Sequence, residues 1–376
     1  MRYLKLMHWM ICSICSLKQR CRYLGGGLLF KRGLMGWLVV GVGLLACGLG
    51  GLSADSYLEQ GRAHHKAGRL TQAIQAYDRA IAVEPDLALA YYDRGNVYDD
   101  AGDLARAIQD YDRALALRPD FVLAYNNRGF AYAATGDLER AMRDYDRAIE
   151  LGPTFAQAYN NRGYAYYQAG EPAQALPDLN RALELDPELA AAYNNRGLTH
   201  MALGNPAGAI QDYSRALALQ PDLALAYNNR GFAYAATGDR ERAIQDYDQA
   251  LALQPELALA WANRAAAAGE PAQAIQDYSR ALELQPDMIQ AYANRAQAYL
   301  ELGDLVRARA DFEQALALEP GLALAYYGLG LVHHAAGDPA RAALDFEQYL
   351  RLAPDGPQRA AALEAIARLQ AALPAQ

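Results

Sequence analysis

Asparagine pairs followed by arginine recur along this chain, at Asn126-Asn127-Arg128, Asn160-Asn161-Arg162, Asn194-Asn195-Arg196 and Asn228-Asn229-Arg230. Asn263-Arg264 and Asn294-Arg295 keep the second asparagine. A primary amide carries two donors and an acceptor, so a row of them can hold the backbone N–H and C=O groups of an extended polypeptide without asking for charge. Phe130, Tyr164 and Phe232, one helical turn further along, would add apolar contacts beside the amides. A second reading is open: the same amides can bond to neighbouring helices and set their spacing.

Nothing else assembles a reaction centre, and we expect a binding protein rather than an enzyme. Asp144 and Asp146 are close in sequence, but their equivalents recur with the same period, which reads as a salt-bridged or solvated helix face rather than an acid–base pair. His64-His65 and His333-His334 are sequence neighbours. Neighbours on a helix point in different directions, so neither pair makes the i, i+4 ligand set of a zinc helix, and no metal or cofactor is expected. The glycines recur at helix ends instead of forming a phosphate-cradling loop, and no serine sits in a strained elbow. Cys12-Ser13-Ile14-Cys15 is a CxxC pair without a second pair or a βαβ pattern around it, and all four cysteines precede residue 54.

The elements that would position the amides are read from residues 122 to 155, VLAYNNRGFAYAATGDLERAMRDYDRAIELGPTF. At helical spacing Tyr125, Gly129 and Tyr132 share one face of a first helix, and Ala141, Tyr145 and Ala148 share one face of a second. Gly136-Asp137 breaks them, the glycine ending one helix and the aspartate capping the next. Pro153 closes the pattern, since it has no N–H to continue a helix. Neither helix can bury its stripe alone, so the hairpin needs neighbours. Gly61, Gly95, Gly129, Gly163, Gly197 and Gly231 stand one period apart and keep the register.

This spacing, aromatic-x3-Gly-x2-Tyr, then Ala-x3-Tyr-x2-Ala, then Pro, resembles the tetratricopeptide repeat family, whose period is 34. The resemblance implies an all-α fold, a right-handed superhelical α-solenoid of helix hairpins. Nine repeats are expected over 54–356: 54–87, 88–121, 122–155, 156–189, 190–223, 224–257, a shortened 258–288, 289–322 and 323–356. Residues 357–376 follow as a capping helix and tail, with Leu363, Ile366, Leu369 and Leu373 expected on one apolar side. Ala265 replaces the glycine in the seventh repeat, Gly269 comes early, and we expect this joint to be weaker than its neighbours. Pro177 lies inside a second helix and is expected to kink it. In repeats of this family the first helix lines a concave surface, which the resemblance extends to Asn126, Asn127, Asn160, Asn161, Asn194, Asn195, Asn228 and Asn229. The row is similar to the asparagine ladder of the repeat domain of O-linked N-acetylglucosamine transferase, whose catalytic part has no counterpart here. It lacks the lysines of a carboxylate clamp. Arg128 and its equivalents replace the leucine usual in the family, and we expect each to pair with an aspartate of the second helix such as Asp144.

Charge limits the partners. The net charge of −8 is unevenly spread: residues 1–53 hold seven Lys+Arg and no acid, leaving 28 basic and 43 acidic residues after them, net −15. An acidic array argues against nucleic acid, which calls for clustered basic side chains, and favours proteins or peptides with basic segments. Residues 1–53 read as a basic region followed by an uncharged run from Gly33 to Ala54, an export signal or membrane anchor. Leu44-Leu45-Ala46-Cys47 is similar to the lipobox of bacterial lipoproteins, in which the cysteine is acylated. Lipidation at Cys47, a cut near Ala54 and a retained anchor are the three alternatives, and each places the array outside the cytoplasm, in the cell envelope. Under the first, labelled palmitate enters the protein in cells and Cys47→Ala abolishes it; a wild-type chain that takes up no label removes that alternative.

Overall fold

The computed structural model describes residues 52–372. Among them are nineteen helices and no strand, in two units divided between Pro187 and Glu188. The first unit holds α1 (Ala54–Lys66), α2 (Leu70–Val83), α3 (Ala88–Asp100), α4 (Leu104–Leu117), α5 (Val122–Ala134), α6 (Leu138–Leu151), α7 (Ala156–Gln168) and α8 (Pro172–Leu185). The second holds α9 (Ala190–Ala202), α10 (Pro206–Leu219), α11 (Ala224–Ala236), α12 (Arg240–Leu253), α13 (Ala258–Ala267), α14 (Pro271–Leu284), α15 (Ile289–Glu301), α16 (Leu305–Leu318), α17 (Ala323–Ala335), α18 (Pro339–Leu352) and α19 (Arg359–Ala372). Helices pair in order, α1 with α2 through α17 with α18, so the described residues form an all-α solenoid of nine hairpins followed by a single helix.

Local chemistry sets each hairpin. Gly136 takes φ 85°, which an L side chain resists, and turns the chain out of α5. Asp137 then accepts the Arg140 amide at 3.0 Å and caps α6. Between the helices Tyr145, 1 % exposed, fills the space over Gly129. It shares its core with Tyr132 and Ala141 of the same hairpin and Ala165 of the next. In the second unit Tyr213 meets Ala233 and Tyr247 meets Ala267 in the same way. Hairpins therefore cohere only as a stack. First helices also touch first helices, α3 with α5 and α5 with α7 in one unit, α11 with α13 and α15 with α17 in the other.

Departures from the period have visible results. Helix α13 has ten residues where the other first helices have thirteen, and its end at Ala268 is extended (φ −61°, ψ 140°). The three missing residues remove its last turn. Pro177 does not break α8, which runs through it from Pro172 to Leu185. On α19 the apolar side is narrower than expected. Ala362, Ile366 and Leu369 pack on Phe346 and Tyr349, while Leu363 turns outward, and Leu373 lies outside the described residues.

The glycine–tyrosine contact is the tightest demand of the hairpin. A Cβ on Gly129 would stand 2.8 Å from Tyr145 Cε1 and 3.2 Å from the Ala141 carbonyl. Alanine does stand at this place in hairpins seven and eight, as Ala265 and Ala296, both buried. A branched side chain asks for more room than that. Gly129→Val is expected to lower the unfolding free energy in urea by about 1–3 kcal/mol, the cost of overpacking; an unchanged midpoint would show that the hairpin opens without cost.

Candidate peptide-binding face

The arginines after the asparagines turn inward toward the second helix. Arg128 grips Asp144 with both ends of its fork, Nε to Oδ2 at 2.7 Å and Nη2 to Oδ1 at 2.6 Å. Its Nη1 reaches Asp112 at 2.6 Å, on the second helix of the preceding hairpin. Arg94 does the same with Asp110 and Asp78, and Arg162 with Asp178 and Asp146. In the second unit Arg196 holds Asp212, Arg230 holds Asp246, Arg264 holds Asp277 and Arg295 holds Asp311. The expected intra-repeat pair is present, and it is buried: Asp144 is 5 % exposed. Burial pushes its carboxyl above the usual carboxylate range, with Arg128 pulling it back down. The link to the preceding hairpin escaped the sequence reading, although Asp78, Asp112 and Asp146 stand one period apart.

With the arginine turned inward, the asparagine pair divides between two environments. Consecutive residues on a helix are 100° apart, so only one of two neighbours can face outward. Asn126, Asn160 and Asn228 are 5 %, 3 % and 1 % exposed, a correction to a row in which every amide fronts a groove. They bond amide to amide. Asn161 Nδ2 donates to Asn126 Oδ1 at 2.9 Å, and Asn126 Nδ2 donates to Asn127 Oδ1 at 3.0 Å. Asn127 Nδ2 donates onward to Asn96 Oδ1 at 2.9 Å and to the Tyr92 hydroxyl at 3.1 Å. In the second unit Asn263 donates to Asn228 at 2.9 Å, Asn228 to Asn229 and Asn229 to Asn194, both at 3.4 Å.

The second asparagines Asn127, Asn161, Asn195 and Asn229 are half-buried, as is Asn194. Beside them Phe130 is 50 % exposed, and Tyr164 and Phe232 are half-buried. Tyr164 stacks on Tyr167 with ring centroids 6.0 Å apart. Tyr92 and Asn96 of hairpin two and Gln157 of hairpin four belong to the same face and were not singled out in the sequence, because each departs from the residue at the same place in hairpin three.

One histidine of each pair bonds to a carboxylate, His65 to Asp100 at 2.5 Å and His333 to Asp345 at 2.6 Å, and His64 accepts from Arg69 at 3.0 Å. Among the described residues no group of three His, Cys, Asp or Glu side chains stands close enough to hold a metal ion. None of the described helices is long and apolar enough to cross a membrane, and Cys47 and its surroundings lie outside the described residues.

Family models of the tetratricopeptide repeat match residues 61–100, 98–136, 131–170 and 266–303, residues 156–189, 190–223 and 224–257, and residues 294–357. The chain belongs to the tetratricopeptide repeat family. No curated protein matches it. Among solved structures it is similar to PilF of Pseudomonas aeruginosa, at 24 % identity over 57 % of this chain and 96 % of that one, with a TM-score of 0.50. It is similar to PilW, a type IV pilus biogenesis factor, at 21 % identity over 54 % of this chain and 94 % of that one, also at 0.50. YrrB, a tetratricopeptide repeat protein described as having an unusual peptide-binding site, aligns at 27 % identity over 50 % of this chain and 96 % of its own, with a TM-score of 0.39. The likeness to PilF and PilW is one of fold.

Removing Arg128 tests the buried pair. Arg128→Leu, the family's usual residue, strands the Asp144 carboxylate and is expected to cost about 3 kcal/mol at neutral pH. The sign with pH follows from Arg128, which draws the Asp144 carboxyl down against the upward push of burial. Without Arg128 the folded carboxyl binds its proton more tightly than it does in the native protein, so protonation favours the folded variant more than the folded native chain. The deficit of the variant against the native protein should therefore shrink as pH falls toward the range where Asp144 protonates. Urea titrations at pH 7 and pH 5 measure it, and a deficit that grows on acidification contradicts the assignment.

Proposed function

We propose that this chain is a protein-interaction scaffold that holds extended peptide segments of its partners along the first-helix faces of its hairpins. The observation that carries this reading is the pairing, in one unit, of half-buried amides at Asn127 and Asn161 with the half-exposed ring of Phe130 and the ring of Tyr164. Amides meet the backbone, which every polypeptide has, and rings meet side chains, which differ, so contact and selection are divided between two kinds of residue. The second unit offers the same combination in Asn229, Asn263 and Phe232. An acidic array attracts segments bearing Lys or Arg and discourages nucleic acid. No residue takes a catalytic role and no cofactor is required. On the sequence argument for residues 1–53, the scaffold works in the cell envelope, tethered through that segment or through a lipid on Cys47.

A displayed library of random dodecapeptides, panned on the purified protein, tests this directly. Peptides enriched in Lys or Arg and in apolar side chains are expected. The double variant Asn127→Ala/Asn161→Ala should bind them about tenfold more weakly, the loss of one or two net hydrogen bonds, while keeping the native helical circular dichroism. A library that returns no binder, or binders indifferent to the double variant, contradicts the reading.

A further inference from the structure

We propose that hairpins three and four read the polarity of the backbone they hold, Asn127 offering an acceptor and Asn161 a donor. This rests on the peptide-holding reading above and concerns the unit that ends at Pro187. A side-chain amide owns two N–H groups and two carbonyl lone pairs. Asn127 donates through Nδ2 to the Tyr92 hydroxyl at 3.1 Å and to Asn96 Oδ1 at 2.9 Å, and its Oδ1 accepts from Asn126 at 3.0 Å. Both donors are engaged and one lone pair remains. Asn161 is the converse. Its Oδ1 accepts from Asn160 Nδ2 at 3.0 Å and from Gln157 Nε2 at 3.3 Å, and its Nδ2 donates to Asn126 Oδ1 at 2.9 Å. Both lone pairs are engaged and one N–H remains.

The asymmetry comes from substitutions around a common plan. Hairpin two carries Tyr92 and Asn96 where hairpin three carries Asn126 and Phe130, so Asn127 meets two acceptors where Asn161 meets one. Gln157 stands where hairpin three has Leu123, and it occupies the lone pair that Asn127 keeps. Asn126 is the positioning residue, since its buried amide bonds to Asn127 on one side and Asn161 on the other and fixes both orientations. A segment laid across the two hairpins gives an N–H to Asn127 and a carbonyl to Asn161. The residue at Asn127 must own an N–H and cannot be proline. The residue at Asn161 is under no such demand, because proline keeps its carbonyl.

The test uses the full chain and one dodecapeptide selected by panning, N-methylated at one backbone nitrogen at a time and followed by isothermal titration. One nitrogen should be essential, its methylation weakening binding about tenfold, the loss of one net hydrogen bond. That penalty should vanish in Asn127→Leu and persist in Asn161→Leu. Asn161→Asp replaces the free donor with an acceptor and should lose about tenfold or more, whereas Asn127→Asp keeps an acceptor for the peptide while giving up its bond to Asn96, and should lose clearly less than Asn161→Asp. Thermal melts report folding, and if a leucine variant fails to fold, the two aspartate variants decide alone. The proposal is overturned if the penalty follows Asn161, if Asn161→Asp binds as well as Asn127→Asp, or if every methylated peptide binds alike. A library that yields no binder overturns the peptide-holding reading, and the polarity with it.

Discussion

Tyr145 reaches from a second helix over the bare backbone of Gly129 and ends against Ala165 of the following hairpin, so one ring closes a hairpin and joins it to its neighbour. The constraint is steric before it is energetic. A side chain at Gly129 would occupy the ring's place. Hairpin four meets the same constraint with Leu179 over Gly163, and hairpin nine with Phe346 over Gly330. Since cohesion lies between neighbours, the array can lengthen without enlarging any one core.

Upon that apolar frame the arginine clamps impose a polar one. A buried aspartate beside an arginine is not a cheap source of stability, because withdrawing both charges from water offsets much of their attraction. What the clamp fixes is geometry. The fork of Arg128 is planar and holds Asp144 through two bonds while a third reaches Asp112, so the rotation of one first helix is tied to two second helices. Rotation decides which asparagine is buried in the pairs at 126–127, 160–161 and 228–229. With the arginine committed inward, Asn126 falls between helices and Asn127 is left at their edge, so the clamp and the amide chain are two consequences of one helix orientation.

This explains what the amino-acid sequence could and could not disclose. The hairpins were legible because their determinants are local: a glycine that turns at positive φ, an aspartate that caps, alanines and aromatics at helical intervals. The shortened seventh hairpin was legible as arithmetic, and Arg264 finds Asp277 thirteen residues on where its counterparts look sixteen ahead. The Arg128–Asp144 pair was legible because opposite charges recur in phase. The division of labour within Asn126-Asn127 was not. It depends on how far a helix is rotated, and a 100° turn separates a groove residue from a buried one while leaving the letters identical. Leu363 likewise belonged by spacing to the buried side of α19 and faces outward, since α18 covers a narrower strip than the helix offers.

The first and last of the described hairpins show where the clamp gives way. Hairpin one has Gln60 and Ala76 where the next has Arg94 and Asp110. Its link forward is made by Arg62, which donates to Asp93 at 2.8 Å on the next first helix. In hairpin nine Leu329 takes the arginine's place, and Asp345 turns to His333 one helical turn further along. There the following neighbour is not a hairpin but α19, which covers Phe346 and Tyr349 with Ala362, Ile366 and Leu369. A lone helix brings no second helix to clamp, so the joint is made by apolar contact and by the Tyr349 hydroxyl, which accepts the Gln358 amide at 3.0 Å. The arginine clamp thus recurs from hairpin two to hairpin eight, where like units are held in a repeated rotation, and other contacts replace it in hairpins one and nine.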